Sequence, residues 1–169
     1  MHHEARSFSP IIAKEARTLI LGSMPGIKSL QEQQYYAHPQ NAFWKIMTAL
    51  FDMPVETYAQ RQAIITGNNL ALWDVLKYCE RSGSLDTRID DKTIEVNDFA
   101  GLFKKQPHIR HIYFNGAKSE KEFLKRVIPT LPDDVKTRLM LTRLPSTSPA
   151  HAGKPLRDKV RDWKIILKD

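Results

Sequence analysis

The feature that most constrains this chain is a junction that recurs along it. A short apolar run ends on small or polar residues, and a segment of helical period follows. In "RTLILGSMPG" (17–26) the run stops at Gly22-Ser23-Met24-Pro25-Gly26. The same pattern recurs in "HIYFNG" (111–116) and "TRLMLTRLPS" (137–146), while "LALWDVL" (70–76) leaves strand and helix start open. Runs this short and apolar read as buried strands, here over 17–23, 111–114 and 138–143, and glycine, serine and proline end them.

Between the runs lie amphipathic stretches. "NAFWKIMTALF" sets Phe43, Met47, Leu50 and Phe51 near helical spacing, with Asn41 placed to cap. "TYAQRQAIITGN" reads as a helix closed by Gly67, and "TIEVNDFAGLFKKQP" as an extended piece leading into a helix capped at Asn97 and stopped at Pro107. A further helix ends before Pro129, and the last one carries Pro155 in its first turn. Residues 80–92 read as a polar loop. Strand, loop and helix in this order imply an α/β fold, with right-handed crossovers and a parallel sheet covered on both faces. Ligands of such sheets bind at the carboxyl ends of the strands. The loops after Ser23, Trp73, Asn115 and Arg143 are therefore expected on one edge. A length of 169 residues, 41% of them hydrophobic, fits a single domain over 1–169.

Several classes are excluded. No apolar run approaches the ~20 residues a membrane helix needs. The first ten residues, "MHHEARSFSP", have no secretory apolar segment, so a cytoplasmic location is expected, or a nuclear one in a cell with a nucleus. The single cysteine, Cys79, allows neither an intramolecular disulfide nor a four-cysteine metal site and reads as an apolar filler. The net charge of +7 points to a polyanionic partner. The basic residues are dispersed and form no long tail, so contact with DNA has to come from the folded surface.

Three stretches carry candidate chemistry. The Gly22–Gly26 turn lets backbone N–H groups approach a ligand, although it lacks the Lys-Ser/Thr of a P-loop and the third glycine of a dinucleotide fingerprint. In "YYAHPQNAFW" the Tyr35–Tyr36 pair offers a stacking face for a base or packs beneath the loop. His38 reads as a structural histidine bonded to the backbone, and Phe43 and Trp44 read as core. In "LPSTSPAHAGKP" the hydroxyls and N–H groups of Ser146, Thr147 and Ser148 suit phosphate oxygens, and Lys154 adds charge.

Together "ILGSMPGIKSLQEQQYYAHPQNAFW" and "LPSTSPA", with "SFSPI" and "ALWDVL", resemble the uracil-DNA glycosylase superfamily, and within it the hypoxanthine-DNA glycosylase (DNA-deoxyinosine glycosylase) branch. The resemblance implies a three-layer α/β/α sandwich around a central four-stranded parallel sheet. It implies a monofunctional base-excision repair enzyme, expected as a monomer, that acts on double-stranded DNA containing a deaminated base. Such an enzyme flips the base out and hydrolyses its N-glycosidic bond without metal or cofactor.

Residue by residue, Met24 stands where many members carry Asp or Asn, and Leu144 where most carry His or Asn. The resemblance shifts the water-directing role to Asn41, whose amide carbonyl can hold a water in line but is no true base. It makes Tyr36 the stacking aromatic, with Gly22, Ser23 and Met24 around the base. Asp74 reads the base edge or caps the next turn, and Asn115 meets the base or a phosphate. Ser146, Thr147, Ser148 and Lys154 contact DNA. Two alternatives stay open: a uracil or G·U/T mismatch glycosylase, and a catalytically inactive DNA-binding relative in which Met24 and Leu144 would be natural.

Overall fold

The computed structural model describes residues 2–168. Four parallel strands form the centre: β3 (Thr18–Gly22), β4 (Leu70–Asp74), β7 (His111–Asn115) and β8 (Met140–Leu144). A two-residue strand, β2 (Ile11–Ile12), adds antiparallel to β4, giving the order β2-β4-β3-β7-β8. The sheet is therefore five-stranded and mixed, where four parallel strands were expected. Pro10 and the shortness of the Ile11–Ile12 pair hide this edge strand from a pattern search. The last strand also starts later than expected, because residues up to Arg138 belong to helix α6 (Asp133–Arg138).

Side chains alternate across the sheet and divide the core in two. Ile20, Leu72, Tyr113 and Leu144 face α2 (Phe43–Phe51), α3 (Tyr58–Thr66) and α7 (Leu156–Trp163). Leu19, Leu21, Ile112 and Phe114 face α4 (Phe99–Lys105) and the segment 117–135. That segment begins as α5 (Ala117–Glu122) and continues through a π-helical turn at Phe123–Val127. Thr57 caps α3 in a reciprocal capping box with Gln60. The cap of α4 is Asp98, not Asn97: Asp98 accepts from Gly101 N–H at 3.0 Å, while Asn97 donates to the Asp74 carbonyl at 2.8 Å.

The largest departure from expectation is residues 80–92. β4 ends at Asp74, and after Val75 the chain enters β5 (Leu76–Arg81), which pairs antiparallel with β6 (Ile89–Val96) and with β1 (His3–Arg6). This second, three-stranded sheet turns the expected loop into a hairpin tip, with Gly83 at φ +77°. No helix among the described residues is long and apolar enough to cross a membrane.

Candidate active site

The hairpin tip and the three crossover loops enclose a cavity of about 510 Å³ at the carboxyl ends of β3, β4 and β7. Gly22, Ser23, Met24, Tyr36, Asn41, Asp74, Asn115, Ser146, Thr147 and Ser148 all line it. Lys154 does not: it stands outside, paired with Asp162.

The first loop brings Tyr36 and Asn41 to the cavity. Tyr35 turns under the loop, its hydroxyl donating to the Ser9 carbonyl at 2.9 Å, while the Trp44 indole donates to the Tyr35 carbonyl at 2.8 Å. Tyr36 is a non-glycine residue in the left-handed region, φ +53°, a backbone setting that costs energy and is held by its surroundings. One ring face stacks on Phe43, 4.2 Å between centroids at 22°. Its hydroxyl is buried and has no hydrogen-bond partner among the described residues. Burial, then the neighbouring Asp74 charge, push its pKa up, so it is a neutral donor at working pH. The expected structural histidine, His38, accepts from Gln40 N–H through Nδ1 at 3.1 Å.

Asn41 does what a cap does, although the residue at the helix boundary is Ala42. Its Oδ1 accepts from Phe43 N–H at 2.9 Å. One lone pair of that oxygen and both N–H bonds of Nδ2 stay available toward the cavity. Asn115 is used differently. Its Nδ2 donates to Thr147 Oγ1 and its Oδ1 accepts from Thr147 N–H, both at 2.9 Å. Ala42 N–H donates to the Thr147 carbonyl at 3.0 Å, so the serine-rich loop is tied to both β7 and α2.

Asp74 forms the floor. It is 3% exposed, and its Oδ2 is fully buried with no hydrogen-bond partner among the described residues. Burial, then the nearby Asp86, raise its pKa to about 7, against the opposing pull of Arg81. Gly22 has to be glycine here. A Cβ on it would lie 2.5 Å from Asp74 Oδ1 and 2.8 Å from the Tyr36 hydroxyl. Two polar side chains, each with a buried oxygen lacking a partner among the described residues, thus meet at one point of the floor, and buried polar groups are rarely left so without a ligand to satisfy them.

The hairpin contributes residues that the sequence reading missed. Arg81, 2% exposed, donates from Nη2 to the Pro25 carbonyl at 2.6 Å. Ser84 Oγ accepts from Ile27 N–H at 2.9 Å. Ser23 Oγ donates to Asp86 Oδ1 at 2.6 Å. These contacts clamp the Gly22–Gly26 turn from outside. Asp86 lines the rim, and loss of water around it raises its pKa although Ser23 and Arg81 oppose the shift. The signal was available: Ser82-Gly83 is a turn pair, and the apolar alternation of "TIEV" behind it is a strand pattern.

A mostly parallel sheet, a cavity at its carboxyl edge, and loops carrying hydroxyls and amides define a class of α/β enzyme or binding protein. The family follows from comparison. Residues 9–167 match the family model of the uracil DNA glycosylase superfamily, and the chain belongs to that superfamily. A hypoxanthine DNA glycosylase of Methanosarcina barkeri is 38% identical over 116 residues, 68% of this chain and 72% of that one. One of Methanosarcina acetivorans is 37% identical over the same shares. The solution NMR structure of a provisionally assigned uracil DNA glycosylase from Methanosarcina acetivorans superposes with a TM-score of 0.79 at 29% identity, over 98% of each chain.

Proposed function

We propose that the chain is a monofunctional DNA glycosylase that removes hypoxanthine from deoxyinosine in duplex DNA, acting as one catalytic unit. The observation that carries this reading is the meeting of Tyr36, Asn41, Asp74 and the Gly22–Gly26 turn in one cavity of about 510 Å³. The names of the Methanosarcina relatives support the choice of base.

In this reading the base leaves the stack and lies along Tyr36, which Phe43 backs. Hypoxanthine presents a carbonyl, O6, beside an N–H at N1. The Asp74 carboxylate accepts from N1–H, and an N–H of the Gly22–Gly26 turn donates to O6. Adenine reverses both groups on that edge and is disfavoured. Asn41 is fixed at one end by Phe43 N–H and holds a water with the rest of its amide, in line with C1′. The C1′–N9 bond breaks through an oxocarbenium-like state that a late, weak nucleophile can complete. The water oxygen bonds to C1′, one of its protons passes to the departing base, and the products are free hypoxanthine and an abasic sugar. N–H groups of the turn meet charge growing on the base. The serine-rich loop bears on the DNA backbone.

The test uses end-labelled duplexes holding one inosine, uracil or xanthine, cleaved with alkali after incubation. Breaks at inosine are the expected outcome. Breaks only at uracil reassign the substrate, and binding without any break leaves a DNA-binding relative in place of an enzyme.

A further inference from the structure

Across the serine-rich loop lies a second cavity of about 150 Å³, which shares Thr147, Ser148 and Pro149 with the first. Lys45, Lys154 and Lys159 line it. Lys154 is paired with Asp162, but Lys45 and Lys159 have no ion pair or hydrogen bond from their ammonium groups among the described residues. Lys159 is the unusual one, because it is only 4% exposed. Its stem is buried while its ammonium reaches the cavity, where it meets no partner among the described residues and an anion can come to it. Burial, with Lys154 beside it, lowers its pKa, which an arriving anion would reverse.

The backbone adds to the charge. Two helices start on the wall of this cavity: α2, whose cap Ala42 lines it, and α7, whose first residue Leu156 lines it. At the start of α2 the Ala42 and Phe43 N–H groups are already taken, by the Thr147 carbonyl and by Asn41, so what the two helix starts offer is chiefly the positive ends of their dipoles, which favour an anion between them. The shared loop decides which anion. The two cavities meet at Thr147–Pro149, so a strand whose flipped nucleotide filled the first would carry its backbone beside the second.

We propose that this second cavity is a subsite for one phosphate of the DNA backbone, held by Lys159 and Lys45 between the starts of α2 and α7. The proposal rests on the reading of the chain as a DNA glycosylase. The experiment measures affinity for inosine-containing and undamaged duplexes over a salt series, for the wild type, Lys159→Gln and the exposed Lys45→Gln. A set of duplexes in which single phosphates are replaced by neutral methylphosphonate accompanies it. Lys159→Gln is expected to bind both duplexes roughly tenfold more weakly and to reduce the salt slope by about one. One methylphosphonate position should weaken the wild type and leave Lys159→Gln unaffected.

Melting curves separate a misfolded variant from a defective one, and should Lys159→Gln not fold, Lys45→Gln decides with the same loss in smaller measure. Equal affinity and slope in the folded variant and the wild type overturn the subsite, as does a loss that adds to that of every methylphosphonate. A variant altered only in inhibition by inorganic phosphate, at matched ionic strength, assigns the cavity to a free anion and also overturns it. These results are read from binding. A wild type that binds duplex DNA but excises nothing removes the glycosylase reading while leaving the phosphate measurement intact.

Discussion

Two asparagines face the same cavity from two regions of the molecule, and they are held in opposite ways. Asn41, in the first loop, is half-buried and fixed at one end, by Phe43 N–H. Asn115, at the end of β7, is 8% exposed and has both ends of its amide bound to Thr147. An amide bound at one end is oriented and still free to act on water. An amide bound at both ends is a strut. The comparison teaches that residue type and position at a cavity do not assign a role; the count of remaining hydrogen-bond sites does.

The comparison is tested hardest by Asn41→Ala. We expect excision to fall by about a hundredfold or more, since a water no longer aimed at C1′ loses its advantage of position. DNA affinity should hardly change. The lost cap costs about 1 kcal/mol, so Tm should drop by roughly 2–4 °C. Single-turnover rates and binding isotherms on an inosine duplex, with a melting curve, give all three values. A variant that excises at the wild-type rate takes Asn41 out of the mechanism.

Asn115→Ala should give the reverse signature. The substitution leaves Thr147 N–H and Oγ1 buried without partners, at about 1–3 kcal/mol for each group. We expect Tm to drop by roughly 5–10 °C, and DNA affinity to weaken about tenfold as the serine-rich loop loosens. If Asn115→Ala melts like the wild type and loses only its rate, the amide works on the substrate and the contrast with Asn41 disappears.

What the sequence made legible follows the same division. Strand ends are legible because the junctions that mark them are short-range patterns. Gly22, Asn115 and the serine-rich loop were placed at the strand edge by periodicity and turn chemistry, Asp74 followed a run that left strand and helix start open, and the parts given to Tyr36 and Asn41 came from the resemblance. Arg81, Ser84 and Asp86 were not legible in this way. Their roles depend on where the small sheet docks, and β1 pairs with β5 across more than seventy residues of chain. The polar composition of 80–92 hid a hairpin whose strands meet the main core through Leu76, Cys79 and Ile89, with Ile94 and Val96 packed against it. The capping position at α4 was read one residue early because Asn97 and Asp98 are both good caps, and only the contact of Asn97 with the Asp74 carbonyl decides between them. Lys154 was placed with the serine-rich loop, and it stands beside that loop on the wall of the second cavity, paired with Asp162, not on the wall of the main one.

Asp74 extends the contrast to a carboxylate whose buried Oδ2 has no hydrogen-bond partner among the described residues, and its expected effect on the rate is the smallest and most specific. Its pKa of about 7 in the fold lies above the ordinary carboxylate value of 3.8. Between those values the folded protein keeps a proton that the unfolded chain has lost. Stability should therefore be greatest below about pH 4, fall as pH rises toward 7, and level off above it. The loss is at most about 4 kcal/mol. Excision should run the other way. The ionised carboxylate accepts from N1–H more strongly than the neutral acid does, so the rate should climb a few-fold through pH 7. In Asp74→Asn the amide oxygen can accept the same N–H at every pH. The variant should show a flat rate profile and should lose Asp74's share of the stability slope, keeping only the slope that Asp86 contributes. Asp86, whose pKa is also raised, stands on the rim and supplies the control. An inflection that survives in Asp74→Asn and disappears in Asp86→Asn would move the titrating group to the rim, and with it the reading of the base edge.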